Sequence, residues 1–157
     1  MRGYSPDDPK PLLGYALLAA AWGSAAAAYV AAHRRSRRRL PRSLPAADYA
    51  VLTLATQKLS RLISKDRVTS FARAPFTRYT GEAGPSEVSE EARGSGVRLA
   101  IGELLVCPYC VGLWVAAGFV GAYIARPDAT RMVAAPFAVL SGADLFQQAW
   151  VALQERT

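Results

Sequence analysis

The distribution of apolar residues along the chain is the feature that most restricts its fold. Apolar stretches with almost no charge run over Leu12–Ala32, Leu99–Ala125 and Met132–Leu153, and the charged residues are concentrated between them. Segregation into blocks of this length is typical of membrane helices, whereas soluble domains mix the two kinds of residue at helical or strand spacing. We therefore predict an all-α membrane protein with about three transmembrane helices.

The first block predicts a transmembrane helix that is retained in the protein. At about 1.5 Å per residue, Leu12–Ala32 spans the roughly 30 Å hydrocarbon core of a bilayer. A cleaved signal peptide is the alternative, but signal peptides carry their positive charge before the apolar region. Here two acids precede the block, and the residues that follow it include Arg34, Arg35, Arg37, Arg38, Arg39 and Arg42. The positive-inside rule predicts a helix that begins outside and ends in the cytoplasm.

The arginine run also bears on the partners of the chain, whose formal net charge is +7. A basic balance can indicate nucleic-acid binding. Because these arginines directly follow an apolar block, a topology signal already explains them, and we expect no nucleic-acid partner. We expect contact between Arg34–Arg42 and anionic lipid headgroups instead. The run also divides the chain into an N-terminal helix and arginine-rich segment, residues 1–42, and a membrane domain, residues 43–157.

A helix of a different kind is predicted over residues 46–65. Its apolar and polar residues fall on two separate helical faces: Leu52, Ala55, Leu59, Leu62 and Ile63 on one, and Thr53, Gln57, Ser60, Arg61 and Ser64 on the other. Both flanks are basic, so a crossing would leave one basic cluster outside. We therefore predict an amphipathic helix in the cytoplasmic interface. Residues 66–98, rich in glycine, proline and glutamate, are predicted to form a long cytoplasmic loop.

Two further spans are predicted after this loop. Proline suits the first position of a helix, so we predict a short helix over residues 99–106, Cys107 as the N-cap, and a spanning helix from Pro108 to Ala125. A turn at residues 126–131 leads to the last span, Met132–Leu153. This order places the N-terminus outside and the C-terminus in the cytoplasm.

Asp144 and Gln148 are candidate polar residues inside the last predicted span. They share one helical face, and a charge at that depth usually has an interior partner. We expect Asp144 to pair with Lys58 or Arg61. A proton or substrate relay is the functional alternative.

The motif Cys107-Pro108-Tyr109-Cys110 is the candidate site for chemistry. Two thiols at this spacing can form one disulfide, and a helix N-terminus favours a thiolate. The same four letters occur in glutaredoxins, but no strand or βαβ pattern precedes them here. Zinc needs about four nitrogen or sulfur ligands, so a metal site would need ligands from a second copy or a partner. The third interpretation is that both cysteines only pack at the interface.

Glu103 is a further candidate at this site. It lies four residues before Cys107, so a continuous helix would place it on the same face as both cysteines. It would then accept a proton from a thiol or serve as a ligand. Its structural alternative is an ion pair with Arg98 or with the basic loop.

Three segments resemble a family of small bacterial membrane proteins known as domain of unknown function 1360, one branch of which is associated with sporulation. They are LSRLISKDRVTSFARAPFTRY at Leu59–Tyr79, GELLVCPYCVGLW at Gly102–Trp114, and Gly142-Ala143-Asp144. The resemblance implies a bacterial membrane protein that has the Cys-Pro-aromatic-Cys element as a family feature and no established activity.

These observations predict a multi-pass protein of the bacterial cytoplasmic membrane. We expect a partner-binding or scaffolding component, not an enzyme, that acts without a cofactor and contacts a protein partner or a second copy of itself. The alternative is a thiol-active or metal-sharing accessory protein that uses Cys107 and Cys110.

Overall fold

The computed structural model describes residues 4–5, 8, 10–36, 41 and 43–155. Part of the arginine run, Arg37–Arg39 with Arg42, lies outside the described residues. In the described part the elements are α1 (Leu12–Arg35), α2 (Ala46–Lys65), α3 (Ser70–Arg73), β1 (Thr77–Gly84), β2 (Glu87–Ala92), α4 (Gly96–Val106), α5 (Pro108–Ala125) and α6 (Pro127–Gln154).

The all-α prediction was wrong, because the predicted loop contains a two-stranded antiparallel sheet. Strands β1 and β2 pair from Thr77 opposite Ala92 to Gly84 opposite Glu87. The last residue of β1, Gly84, and Ser86 in the turn after it have positive backbone φ angles. In β2 the Val88 side chain is buried, and the next position on the same face is held by Glu90 rather than by an apolar residue. The alternation of apolar and polar residues that marks a strand is therefore hidden.

The prediction of about three transmembrane helices was also wrong. Among the described residues, two helices are long and apolar enough to cross a membrane, α1 and α5. Helix α6 is the longest helix, with 28 residues, but it does not qualify. Polar side chains in its second half, including Asp144 and Gln148, lower its apolar character.

Helix α2 has the predicted limits, but only three of the five residues predicted on its polar face are exposed. Ser60 and Ser64, expected on the polar face, are both buried. The Ser60 hydroxyl donates to the Thr56 carbonyl over 2.6 Å, which satisfies the hydroxyl without water. The predicted polar face is therefore only partly solvated, and the interfacial amphipathic helix is not supported.

The chain forms two compact units, and the predicted domain boundary after residue 42 stays a prediction. The first is Met1–Arg38 with Ile63–Val111, and the second is Arg39–Leu62 with Gly112–Thr157. Each unit has its own packing.

In the first unit, glycines allow close packing around α4. A Cβ atom built on Gly14 of α1 would lie 2.6 Å from the Ala100 Cβ, and one on Gly102 would lie 2.5 Å from the Phe76 carbonyl oxygen. Real Cβ atoms do not approach other atoms so closely. Glycine at these two positions therefore lets α1 and the hairpin pack against α4.

The second unit has an apolar core formed by α2, α5 and α6. Its buried members are Leu52, Ala55, Phe119, Tyr123 and Ala134. Partly buried side chains, including Leu59 and Phe137, surround them. In contrast, much of α6 exposes large apolar side chains, among them Met132, Phe146 and Trp150.

Candidate functional site

The two cysteines lie at the junction between α4 and α5. Helix α4 ends at Val106 and α5 begins at Pro108, which confirms the predicted break. Cys107 stands between them with extended backbone angles, φ −106° and ψ 103°. Its Sγ atom accepts the Cys110 backbone N–H over 3.2 Å, and its carbonyl oxygen accepts the same N–H over 3.0 Å. Cys107 is thus the N-cap of α5, as predicted.

Both thiols are free and reachable from outside the protein. Cys107 is partly buried and Cys110 is exposed, and the two side chains interact with each other. Tyr109 between them is exposed as well. The motif is therefore a pair of neighbouring thiols at a helix start, an arrangement that permits thiol–disulfide exchange.

The structure places Glu103 in a different contact. The helix that carries it ends before Cys107, so the continuous helix needed to align Glu103 with both cysteines is not formed. The Glu103 carboxylate accepts a hydrogen bond from the Tyr15 hydroxyl and lies 3.9 Å from the Lys10 Nζ. The predicted pair with Arg98 was wrong, since Arg98 donates to the Pro75 carbonyl over 2.6 Å. Glu103 instead ties α4 to α1 within the first unit.

No group of three or more histidine, cysteine, aspartate or glutamate side chains is placed to hold a metal ion in the described part of the chain. His33 lies in the last turn of α1, where its ring stacks on Tyr29 with 6.3 Å between centroids. A shared metal site at the cysteines, with ligands from another chain, stays a prediction.

Asp144 has one of the two partners predicted for it. Lys58 Nζ donates to Asp144 Oδ2 over 2.6 Å, within the second unit. On the same pair of helices, the Ser141 hydroxyl donates to the Gln57 side-chain oxygen over 2.7 Å. Gln148 is exposed. These contacts join α2 to α6 and support the structural interpretation of Asp144.

Arg73 and Glu90 form a buried ion pair in the first unit that sequence analysis missed. Their side chains are 1% and 5% exposed, and Arg73 Nε donates to Glu90 Oε2 over 2.7 Å. Arg73 also donates to the carbonyl oxygens of Ile63 and Asp66, over 2.8 and 2.9 Å. One guanidinium therefore joins the end of α2, the turn after it and strand β2.

The surroundings of Glu90 favour its ionised form. Burial acts to raise the pKa of Glu90, but the hydrogen bond and the charge of Arg73 outweigh it and hold the pKa below its ordinary value. Thr77 adds a further hydrogen bond to the carboxylate, over 3.1 Å. The buried charges are thus paired and hydrogen-bonded, as burial requires.

A second charged cluster that sequence analysis missed lies in the second unit. Asp48, in the first turn of α2, accepts two hydrogen bonds from Arg131, each of 2.8 Å, and one from the Tyr123 hydroxyl. The Arg131 hydrogen bond, then that of Tyr123, lowers the pKa of Asp48 to about 2. The Arg131 guanidinium also lies 5.3 Å from the centre of the Tyr123 ring.

The segment around α3 exposes large apolar side chains outside the two candidate membrane helices. Val68 is 80% exposed, Phe71 79% and Tyr79 61%. Exposed apolar side chains grouped on one module often mark a contact surface. We call residues 66–92 the α3–hairpin module; it contains these three residues together with the Arg73–Glu90 pair.

Comparison with known proteins identifies the family. The family model described as Protein of unknown function (DUF1360) matches residues 51–150. The chain belongs to this family. The Sporulation protein YjcA of Bacillus subtilis (strain 168) is 33% identical over 84 residues, which cover 52% of this chain and 71% of that protein. No solved structure matches. The resemblance predicted from the sequence is confirmed, including a relative named for sporulation.

The DUF1360 match contains most of the clusters described above. The Arg73–Glu90 pair, the Lys58–Asp144 pair and both cysteines lie within residues 51–150. Helix α1 precedes the match. The matched region therefore includes the whole α3–hairpin module and the thiol pair.

Proposed function

We propose that the chain is a partner-binding component of a bacterial cell membrane and that it contacts a protein partner through the α3–hairpin module. The observation that carries this proposal is the exposure of Val68, Phe71 and Tyr79 on a module that the buried Arg73–Glu90 pair holds in place. Large side chains on a preorganised surface bind at a low entropic cost. Aromatic residues such as Phe71 and Tyr79 are also enriched in protein interfaces.

Membrane attachment in this proposal comes from α1 and α5, the two helices long and apolar enough to cross a bilayer. The arginines after α1 favour a cytoplasmic location for the chain between α1 and α5. The same arginines, Arg34–Arg42, would contact anionic lipid headgroups. The α3–hairpin module then faces the cytoplasm, where a soluble or membrane-bound partner can reach it.

The relative named as a sporulation protein supports a role in that process. The partner is then expected among proteins made by sporulating cells. A second copy of this chain is the other possible occupant of the module, and the experiment below separates the two.

Photo-crosslinking in native membranes tests the proposal. A photoreactive phenylalanine analogue at Phe71 should give one discrete adduct, and the same analogue at Val97, which is 43% exposed on α4 of the same unit, should not. With the partner identified by mass spectrometry, Phe71→Ser should weaken its co-purification by at least about tenfold, as expected for an interface anchor. An adduct that contains two copies of this chain would show that the module binds a second copy and not a different protein. Equal adducts from both positions would refute the assigned surface.

The orientation is tested separately by thiol labelling. In a chain with both native cysteines changed to serine, Glu87→Cys should react with a membrane-impermeant maleimide only after the cells are permeabilised. Labelling in intact cells would place the module outside and refute the proposed topology.

A further inference from the structure

We propose that Cys107 and Cys110 form a thiol–disulfide exchange site that reduces a disulfide of another molecule. This activity is separate from partner binding by the α3–hairpin module and does not depend on it. The chain contains two cysteines in total, so an intrachain disulfide can join only these two.

The local backbone brings the two thiols together. Because Pro108 starts α5, Cys107 is the N-cap and Cys110 is the third helical residue. An N-cap side chain normally reaches the backbone N–H of that third residue, and here Cys107 Sγ accepts the Cys110 N–H over 3.2 Å. The side chains of the two cysteines already interact with each other. The fold therefore supplies the proximity that an intramolecular disulfide requires.

The same geometry gives the two thiols different roles. The Cys107 sulfur accepts the Cys110 backbone N–H at the first turn of α5, the end of a helix that carries N–H groups without intrahelical partners. Cys110 lies one turn into the helix, and the structure shows no backbone N–H bonded to its sulfur within the described residues. Cys107 is then the attacking thiol and Cys110 the resolving thiol.

The reaction balances with a disulfide as the only co-reactant. The Cys107 thiolate attacks one sulfur of a disulfide R–S–S–R′, forms a mixed disulfide with R, and releases R′ as a thiolate that takes up a proton. Cys110 then loses its proton, attacks the Cys107 sulfur and releases R as a thiolate, which is protonated in turn. The cysteine pair is oxidised by two electrons, and R–S–S–R′ is reduced to two thiols.

The neighbouring side chains of Glu103 and Tyr109 take no part in the proposed reaction. The Glu103 carboxylate is engaged by Tyr15 and Lys10. The side chains able to bind a metal do not gather into a site anywhere in the described residues. Tyr109 is exposed between the thiols and does not cover them.

Treatment of the full-length chain in native membranes with oxidised glutathione tests the proposal. The wild-type chain should lose both maleimide-reactive thiols and two hydrogen atoms of intact mass, and it should keep no glutathione. This measurement needs no variant, so it does not depend on any substitution folding correctly. Two free thiols after prolonged exposure, or a chain carrying glutathione on each cysteine, would overturn the proposal. Protection of both thiols that a chelator removes would overturn it in favour of a shared metal.

Two single variants test the assigned roles. Cys110→Ser should trap one glutathione on Cys107, whereas Cys107→Ser should take up glutathione on Cys110 at least about tenfold more slowly. Serine is itself a good N-cap, so Cys107→Ser keeps the start of α5 intact. Faster uptake by Cys110 would overturn the assignment of Cys107 as the attacking thiol.

Discussion

Replacement of Arg73 by methionine should open the α3–hairpin module. Arg73 is 1% exposed, and its partner Glu90 is 5% exposed. Without the guanidinium, Glu90 becomes a buried carboxylate with no charge partner. The carbonyls of Ile63 and Asp66 each lose the hydrogen bond from Arg73, although that of Asp66 keeps one from the Thr69 hydroxyl. Removing one partner of a buried ion pair costs about 3–5 kcal/mol. Because Arg73 also donates to the hydroxyls of Thr69 and Ser70, five acceptor groups are affected, and we expect a loss at the upper end of this range.

Glu90→Gln should be milder. Glutamine keeps an acceptor for Arg73, and the guanidinium keeps its bonds to Ile63 and Asp66. The loss of the carboxylate charge should cost about 1.5–3 kcal/mol, the range for hydrogen bonds that involve a charged group. In the double variant of Arg73→Met and Glu90→Gln no charge remains unpaired, so the two effects should be clearly less than additive.

Wild type and Glu90→Gln should differ in stability by an amount that depends on pH, because the pKa of Glu90 is lowered in the folded protein. A carboxyl group whose pKa is lower in the folded protein contributes its full stabilisation above its unfolded pKa, about 4.3 for glutamate. That contribution is lost as the pH falls through the folded pKa. The stability of wild type relative to Glu90→Gln should therefore be constant near neutral pH and decrease below about pH 4.

Amide hydrogen exchange of residues 77–92 in detergent micelles measures the free energy of opening of the hairpin directly. Arg78→Met is the matched control on the same strand, because its pair with Glu91 is 72% and 50% exposed. An exposed pair should contribute at most about 1 kcal/mol. The reasoning would be refuted if Arg73→Met changed the opening free energy of the hairpin by no more than Arg78→Met does.

Three further predictions concern other contacts. Asp48→Asn should lower the thermal midpoint near neutral pH, and the wild-type advantage should vanish as the pH falls from about 4 towards the lowered pKa of about 2; a midpoint equal to wild type at neutral pH would contradict it. Asp144→Asn should lower the stability measured by a thermal melt in detergent by at most about 1 kcal/mol, because the Lys58–Asp144 pair is partly exposed. Exchanging the two charged residues of this pair should restore part of the lost stability. Gly102→Ala should cost about 1–3 kcal/mol by overpacking, whereas Gly142→Ala, with no atom within 4 Å of the added Cβ, should not destabilise the protein; equal melting points for the two variants would show that the packing around α4 can relax.

The sequence by itself determined those features that depend on local backbone chemistry. Pro108 has no N–H and a fixed φ, which places the break between α4 and α5 and makes Cys107 the N-cap. The limits of α2 were predicted from the spacing of its apolar residues, and the start of α1 at Leu12 from the beginning of an uncharged apolar block. For Asp144 the sequence predicted an interior partner, Lys58 or Arg61, because an acid in a predicted span needs one, and the structure shows the Lys58 pair.

The tertiary structure alone decided the features that depend on residues far apart in the chain. Arg73 and Glu90 are 17 positions apart, and nothing in their local sequence distinguishes them from solvated charges. They became a buried pair because the hairpin folds over α3, and the inward charge of Glu90 hid the strand pattern of β2. The Asp48–Arg131 contact arose in the same way across 83 positions. Charge pairing of this kind is set by three-dimensional proximity and desolvation, which periodicity and composition do not encode.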